Sequence, residues 1–389
     1  MTTHLHRDKT TWISYLQVSF FAWFIFSFGA FLPFIRDELG LTATVASLHS
    51  ATMSVGSVSS GILTSHIIKL IGRGMLLRYA TFGLMIGLTL IVIGHNVAFT
   101  MIGAMVSGFS GSTIVQSSGA YLSTHHGRFA PTIITEQHAF AAGIGVLAPL
   151  IVGVTVAQGW GWRPATFVAI VALLIIEIAR GSNTNLYGAV RDEAAEQSVH
   201  HDLPGALPKL YWWAWAGVFC TAAVEFSVMF WASYVLRDQG GMGAAASAAA
   251  LGSAVGGMFI GRLVASQTAR KFGSENLYRA SLLVALAGFL VFWRSTSPAV
   301  LLVSLFVAGL GIGGHFPLGL DRVVRASEGR PDRGSAFIAL GAGSASGAAP
   351  FALGALSESI GIQNAYTIVP VALVLAIFIA FKAPVKEQS

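Results

Sequence analysis

Residues 12–35 read WISYLQVSFFAWFIFSFGAFLPFI, 24 residues without a charge. At 1.5 Å per residue a helix of this length reaches about 36 Å, enough to cross a hydrocarbon core of about 30 Å. A removable signal has an apolar region of only about 7–15 residues and ends at a small-residue cleavage site. No such site ends this run, so it is read as a first spanning helix. Working outward, eleven further runs qualify: 43–68, 74–94, 97–122, 132–158, 163–180, 210–236, 243–268, 277–295, 297–320, 334–358 and 364–382. The alternating ten-residue strands of a membrane β-barrel are absent, so the pattern predicts an all-α membrane protein with twelve transmembrane helices.

The composition agrees. Of the 389 residues 54% are hydrophobic and 10% charged, where a soluble chain carries about 25% charged residues. An ordinary soluble enzyme, a disordered protein and a nucleic-acid-binding module are excluded on this ground. Cys220 is the only cysteine, so no intrachain disulfide and no CxxC metal site can form. The net charge of +6 is a topology signal: with the amino terminus inside, all but Arg36, Arg163, Arg237 and Arg294 of the 23 Lys and Arg fall on the inner side. The positive-inside rule then places both termini in the cytoplasm. The longest polar stretch follows the sixth run, giving a six-helix bundle over 1–180, a cytoplasmic linker over 181–208 and a second six-helix bundle over 209–389.

The halves repeat. A single shift of 201 positions lays Arg36-Asp37 on Arg237-Asp238, Gly40 on Gly241, and Ser65, Lys69, Gly72 and Arg78 on Ser266, Arg270, Gly273 and Arg279. It continues through Gly87 and Gly288, Gly108 and Gly309, and Pro149 and Pro350. Two parallel six-helix pseudo-repeats are a recurrent transporter layout.

At this point the chain resembles the major facilitator superfamily over nearly its whole length. The family's loop between helices 2 and 3 reads like G-x-L-A-D-R-x-G-R. Here Gly72 and Arg73 fit, while Ser65 stands for the glycine and Lys69 for the aspartate. The resemblance implies an inner latch at Ser65, Lys69, Gly72 and Arg73, with Lys69 unable to accept the hydrogen bonds an aspartate would. Gly161-Trp162-Arg163 is similar to the family's entry into helix 6. Gly145, Pro149 and Gly153 keep part of an antiporter motif in helix 5, with Ala148 where that motif has glycine. Pro149 and Pro350 are expected to act in gating.

Ionisable groups at membrane depth are costly, about 2.5–3.5 kcal/mol at a helix centre, and point to a cavity or a partner. Glu225 stands near the middle of the seventh run, on one stripe with Gly217 and Thr221, and can take and release a proton as access switches. Glu136 and His138 lie near the inner end of helix 5, where the shift finds Phe337 and Ala339, so they belong to one half only. The competing structural role for Glu136 is a pair with Arg128. His49 and Gln116 are candidates for hydrogen bonds to a polar substrate. His315 stands in Gly313-Gly314-His315-Phe316-Pro317, where an interrupted helix would expose carbonyls. Asp321 is expected to latch onto Arg322 or Arg270. Arg36-Asp37 and Arg237-Asp238 read as paired surface charges. No deep arginine is expected, which disfavours an obligate anion carrier. The adjacent pairs His125-His126 and His200-His201 read as cytoplasmic; they leave metal binding open, but no second ligand pair stands at convincing spacing.

The sequence therefore predicts a non-enzymatic secondary active transporter integral to a cell (inner or plasma) membrane, taking up a small organic solute by proton symport with alternating access. Proton-coupled efflux is the main alternative, with a lipid flippase or a non-transporting sensor behind it. The expected partners are the solute, protons and the lipid bilayer, in a monomer without cofactor, metal or nucleic acid. No P-loop is present, so ATP-driven transport is disfavoured.

Overall fold

The computed structural model describes residues 6–182, Tyr187 and residues 205–385. The helices are α1 (Lys9–Leu39), α2 (Ala43–Ile71), α3 (Arg73–Ile93), α4 (Val97–His126), α5 (Ala130–Ala157), α6 (Arg163–Arg180), α7 (Lys209–Asp238), α8 (Ala244–Phe272), α9 (Ser274–Arg294), α10 (Pro298–Ala326), α11 (Pro331–Ile360), a one-turn α12 (Ile362–Ala365) and α13 (Ile368–Lys382). The last two together make the twelfth span. There is no strand among the described residues. Nine spans among them are long and apolar enough to cross a membrane. Of the others, α6 carries Arg163, Glu177 and Arg180, and α2 is rich in serine.

Local chemistry sets the boundaries. Asp8, Thr42 and Asn96 cap α1, α2 and α4, each side chain accepting a first-turn amide, a contribution of about 1 kcal/mol apiece. Gly72 and Gly273, matched by the repeat, adopt φ of 78° and 79° and each ends one helix and begins the next. A side chain there would be strained, so the same sharp turn recurs in both halves for the same reason.

The packing repeats as well. In the first half α1 packs on α5, and α2 and α3 on α4; in the second α7 packs on α11, and α8 and α9 on α10. Between the halves α2 meets α11 and α5 meets α8. Small residues allow these approaches. A Cβ on Gly29 of α1 would meet the Met229 backbone of α7, and Cβ atoms on Gly347 and Gly354 of α11 would meet Ser54 and Ser47 of α2.

Two ends can be distinguished: the proximal end, where α1 begins and α13 finishes, and the distal end. The halves close on each other distally. Arg237 reaches Asp37 at 3.2 Å, the Glu358 carboxylate accepts the Thr44 amide at 2.8 Å, and Ser54 donates to the Gly343 carbonyl. Arg36 lies 4.9 Å over the Tyr234 ring and Arg237 5.6 Å over the Phe34 ring. The doublets expected to be local surface charges thus bind across the pseudo-symmetry, each arginine reaching the other half. Towards the proximal end the contact runs out. Gly61 and Gly119 have no atom within 4 Å of the place a Cβ would take, and Gln116 and His138 are exposed although they lie well inside their helices.

Candidate functional site

The site is built around Glu225. Its carboxylate lies 3.5 Å from the Arg262 guanidinium of α8, with the two side chains only 15% and 24% exposed. His138 of α5 lies within electrostatic reach of the same arginine. One carboxylate, one guanidinium and one imidazole, from α7, α8 and α5, therefore gather where the halves part. Because α5 belongs to the first half and α7 and α8 to the second, the group straddles the interface. Phe226, one residue beyond Glu225, meets Phe230 at 5.8 Å, and Phe230 meets Phe28 of α1 at 5.3 Å. These rings stand between the polar group and the distal closure. On the same helix Ala222 and Ala223 pack on Ala345 of α11, and Thr221 is buried.

Arg262 corrects the sequence reading, which expected no deep arginine. It lies ten residues before the end of α8, about 15 Å along the axis, and its long side chain carries the charge to Glu225. The shift offered a signal for it: Glu225 falls on Phe24 and Arg262 on Gly61, so neither charge has a counterpart in the first half.

The other candidates divide. Gln116 donates to Ser60 at 3.4 Å and faces the open region. His49 is turned away from any solute: it is fully buried, with Nδ1 2.9 Å from the Ala46 carbonyl and Nε2 2.8 Å from the Thr100 hydroxyl. It joins α2 to α4. Glu136 is occupied by Arg7, which donates at 2.6 and 2.8 Å, and by the Tyr15 hydroxyl at 3.1 Å. Arg7 is thus its partner among the described residues, and the pair ties α5 to the start of α1; the side chain of Arg128, the partner expected from the sequence, lies outside them. His315 is buried with neither ring nitrogen hydrogen-bonded. The interrupted helix expected around it does not occur, since α10 runs unbroken through Gly313, Gly314 and Pro317. Those glycines serve packing: Gly309 and Gly313 lie on the Ala254 and Met258 carbonyls of α8.

The expected latch is also rearranged. Asp321 pairs with Arg325, one turn on, at 2.9 Å, and Arg325 reaches Ser274 at 2.8 Å. Arg322 instead turns inward to Glu275 at 3.1 Å and to the Ala383 carbonyl. The side chain of Arg270 lies outside the described residues. Ser65 and Lys69 are exposed, while Arg73 is buried beside Gly72. In the first half Glu177 gathers Arg180 at 3.1 Å, Arg78 at 3.5 Å and Gln17 at 3.3 Å. Glu177 and Glu275, acceptors the sequence reading did not single out, thus anchor the proximal ends of the two halves. Their spacing to Arg180 (i, i+3) and Arg279 (i, i+4) was the available signal. A Cβ on Gly252 of α8 would lie 3.7 Å from the Pro149 ring, and the Pro350 carbonyl accepts the Trp231 indole at 3.0 Å. Trp162 and Arg163 both bind Glu38, at 3.0 and 2.7 Å, which joins the entry of α6 to the end of α1.

Comparison with known proteins follows the fold. The family model of the Major Facilitator Superfamily matches residues 214–389. A D-xylose-proton symporter is similar in structure, with a TM-score of 0.78 and 15% identity, covering 98% of this chain and 99% of that one. The xylose transporter XylE from E. coli, in a partially occluded inward-open conformation, gives 0.75 and 15%, covering 96% and 97%. The transporter FucP in its outward conformation gives 0.63 and 14%, covering 97% and 99%. No curated protein sequence matches the chain.

Proposed function

We propose that this chain, whose residues 214–389 match the Major Facilitator Superfamily model and whose fold is similar throughout to the solved symporters, is a secondary transporter that takes up a small polar organic solute with a proton. The observation that carries this reading is the Glu225–Arg262 pair, 3.5 Å apart within the span and beside His138 of the other half. A charged pair at membrane depth is costly and marks a coupling or binding site. The deprotonated carboxylate holds the guanidinium; a proton on Glu225 releases it. Arg262 is then free to bind an acceptor group of the solute, with His138 and Gln116 offering hydrogen bonds from the first half. The distal closure and the proximal opening match one end state of alternating access, and rocking of one half on the other would give the second. Residues 1–180 and 209–389 act as the two rocking units, with 181–208 joining them on the cytoplasmic side.

Proteoliposome flux tests the reading. An inward-directed proton gradient should drive solute accumulation, and Glu225→Gln should abolish accumulation while sparing solute exchange. Unchanged gradient-driven uptake by Glu225→Gln would overturn it. A solute gradient that drives protons the opposite way would identify efflux.

A further inference from the structure

At the proximal end of the first half, α1 begins against the last turn of α4. Asp8 caps α1 through one carboxylate oxygen, which accepts the Thr11 amide at 2.8 Å and the Thr11 and Thr10 hydroxyls at 2.7 and 2.9 Å. Its other oxygen lies 2.8 Å from Nε2 of His125. Nε2 of His126 lies 2.8 Å from the Thr11 hydroxyl. One nitrogen of each imidazole and one Asp8 oxygen fall within 4.8 Å of one another. The sequence showed only the adjacent histidines; the fold brings the carboxylate to them from 117 positions away.

The surroundings suit a cation. Tyr121 stacks on His125 with centroids 5.0 Å apart and rings 20° from parallel, and its hydroxyl is 2.6 Å from that of Thr10, so the first imidazole is held from outside the cluster. Such outer contacts orient metal-binding histidines. Arg7, the cation next in sequence, is taken up by Glu136. The His125 and Asp8 side chains are 40% and 34% exposed, which leaves a path for an ion.

We propose that Asp8, His125 and His126 form a site for a divalent transition-metal ion of the zinc type, clipping the first turn of α1 to the last turn of α4. Two neutral imidazoles and a carboxylate are a ligand set for such ions, with a fourth position left for water or the Thr11 hydroxyl. Ligands about 2.0–2.2 Å from a tetrahedral ion stand ~3.4 Å apart. His126 is the last residue of α4, before Gly127 at φ 50°, so rotation of its ring can close the present 4.8 Å spread. The site is independent of the transport reading, because it uses none of the residues at the halves' interface.

Co2+ titration of the full-length, tag-free protein, followed by visible absorption, and Zn2+ equilibrium dialysis test the proposal. One equivalent per chain is expected, with the intense visible bands of tetrahedral Co2+. His125→Ala and His126→Ala should each weaken binding about tenfold or more. So should Asp8→Asn, which keeps a cap acceptor but removes the anion. The metal-free melting temperature shows that each variant is folded. His200→Ala with His201→Ala should bind like the parent. No binding by the parent, binding that survives loss of both His125 and His126, or binding that follows His200 and His201 would overturn the site.

Discussion

Replacing Gly29 with alanine adds one carbon where α1 crosses α7. That Cβ would stand 1.7 Å from the Met229 carbonyl oxygen, 2.8 Å from its carbon and 3.1 Å from the Cα of Phe230. Ordinary contact starts near 3.4 Å, so the crossing must widen by about 1.7 Å. The obstacle is helix backbone, which cannot swing aside as a side chain would. Overpacking of this kind costs about 1–3 kcal/mol. The cost falls on the distally closed state alone, because the crossing opens when the halves part at that end. A difference of this size shifts a two-state equilibrium about 5- to 150-fold. Pulsed EPR between spin labels at Leu41 and Ser359, in a Cys220→Ser background, reads the distal separation. Gly29→Ala should enlarge a long-distance population by that factor. Gly61→Ala, whose Cβ meets nothing within 4 Å, is the matched control and should leave the distances unchanged. If the two variants give the same distances, or if Gly29→Ala only lowers the melting temperature, the crossing is not a gate and the reasoning fails.

Three further outcomes are expected. Arg262→Gln should reduce gradient-driven uptake to the level of Glu225→Gln, and the double variant should be no worse than either single one, since the two residues act as a unit; additive losses in proteoliposomes would separate them. Arg237→Ala removes the 3.2 Å contact to Asp37 and the stacking on Phe34. Exposed ion pairs and cation–π contacts are each worth about 0–1 kcal/mol, so the EPR long-distance population should rise only modestly, less than with Gly29→Ala. Asp8→Ala should cost about 1 kcal/mol of cap energy at neutral pH, read from thermal melting in detergent. The Asp8 carboxyl is held at about 2 in the folded protein, below its unfolded value of about 3.9. Its contribution is therefore full above pH ~4 and fades as pH falls towards 2, so the gap between parent and variant should narrow over that window and not above it.

Hydropathy and the 201-residue shift made the fold legible because they report backbone needs that both halves share. Gly72 and Gly273 turn alike, and the packing of α2 on α4 returns as α8 on α10. Partner choice was less legible. His49, Glu136 and Asp321 were recognised as polar groups needing partners, but their partners Thr100, Arg7 and Arg325 depend on side-chain reach between or along helices. Asp321 lies one turn from Arg325 and beside Arg322, and only the burial of Arg322 against Glu275 decides between them. The glycines around His315 suggested a broken helix by composition, yet glycine also permits close packing, and the proximity of the Ala254 and Met258 backbone decides for packing.

The residues that define the fold are the ones the two halves share, and the residues placed at the candidate site are the ones they do not. Gly40, Gly72, Gly108 and Pro149 all have counterparts 201 positions on. Glu225, Arg262 and His138 fall on Phe24, Gly61 and Ala339. A pseudo-symmetric scaffold needs the same turns and close approaches twice, so matched positions are accounted for by architecture. A charge at membrane depth in one half only is not required by that architecture, and its cost of a few kcal/mol has to be offset by something outside it. Glu225 and Arg262 partly offset each other at 3.5 Å. A pair retained for stability alone would be replaceable by apolar residues of similar volume, often with no loss. Phe24 and Gly61 already show what the scaffold accepts at these two positions. Glu225→Phe combined with Arg262→Gly should therefore preserve folding and melting temperature while abolishing proton-driven uptake. A double variant that folds and still shows proton-driven uptake would remove the pair from the coupling machinery.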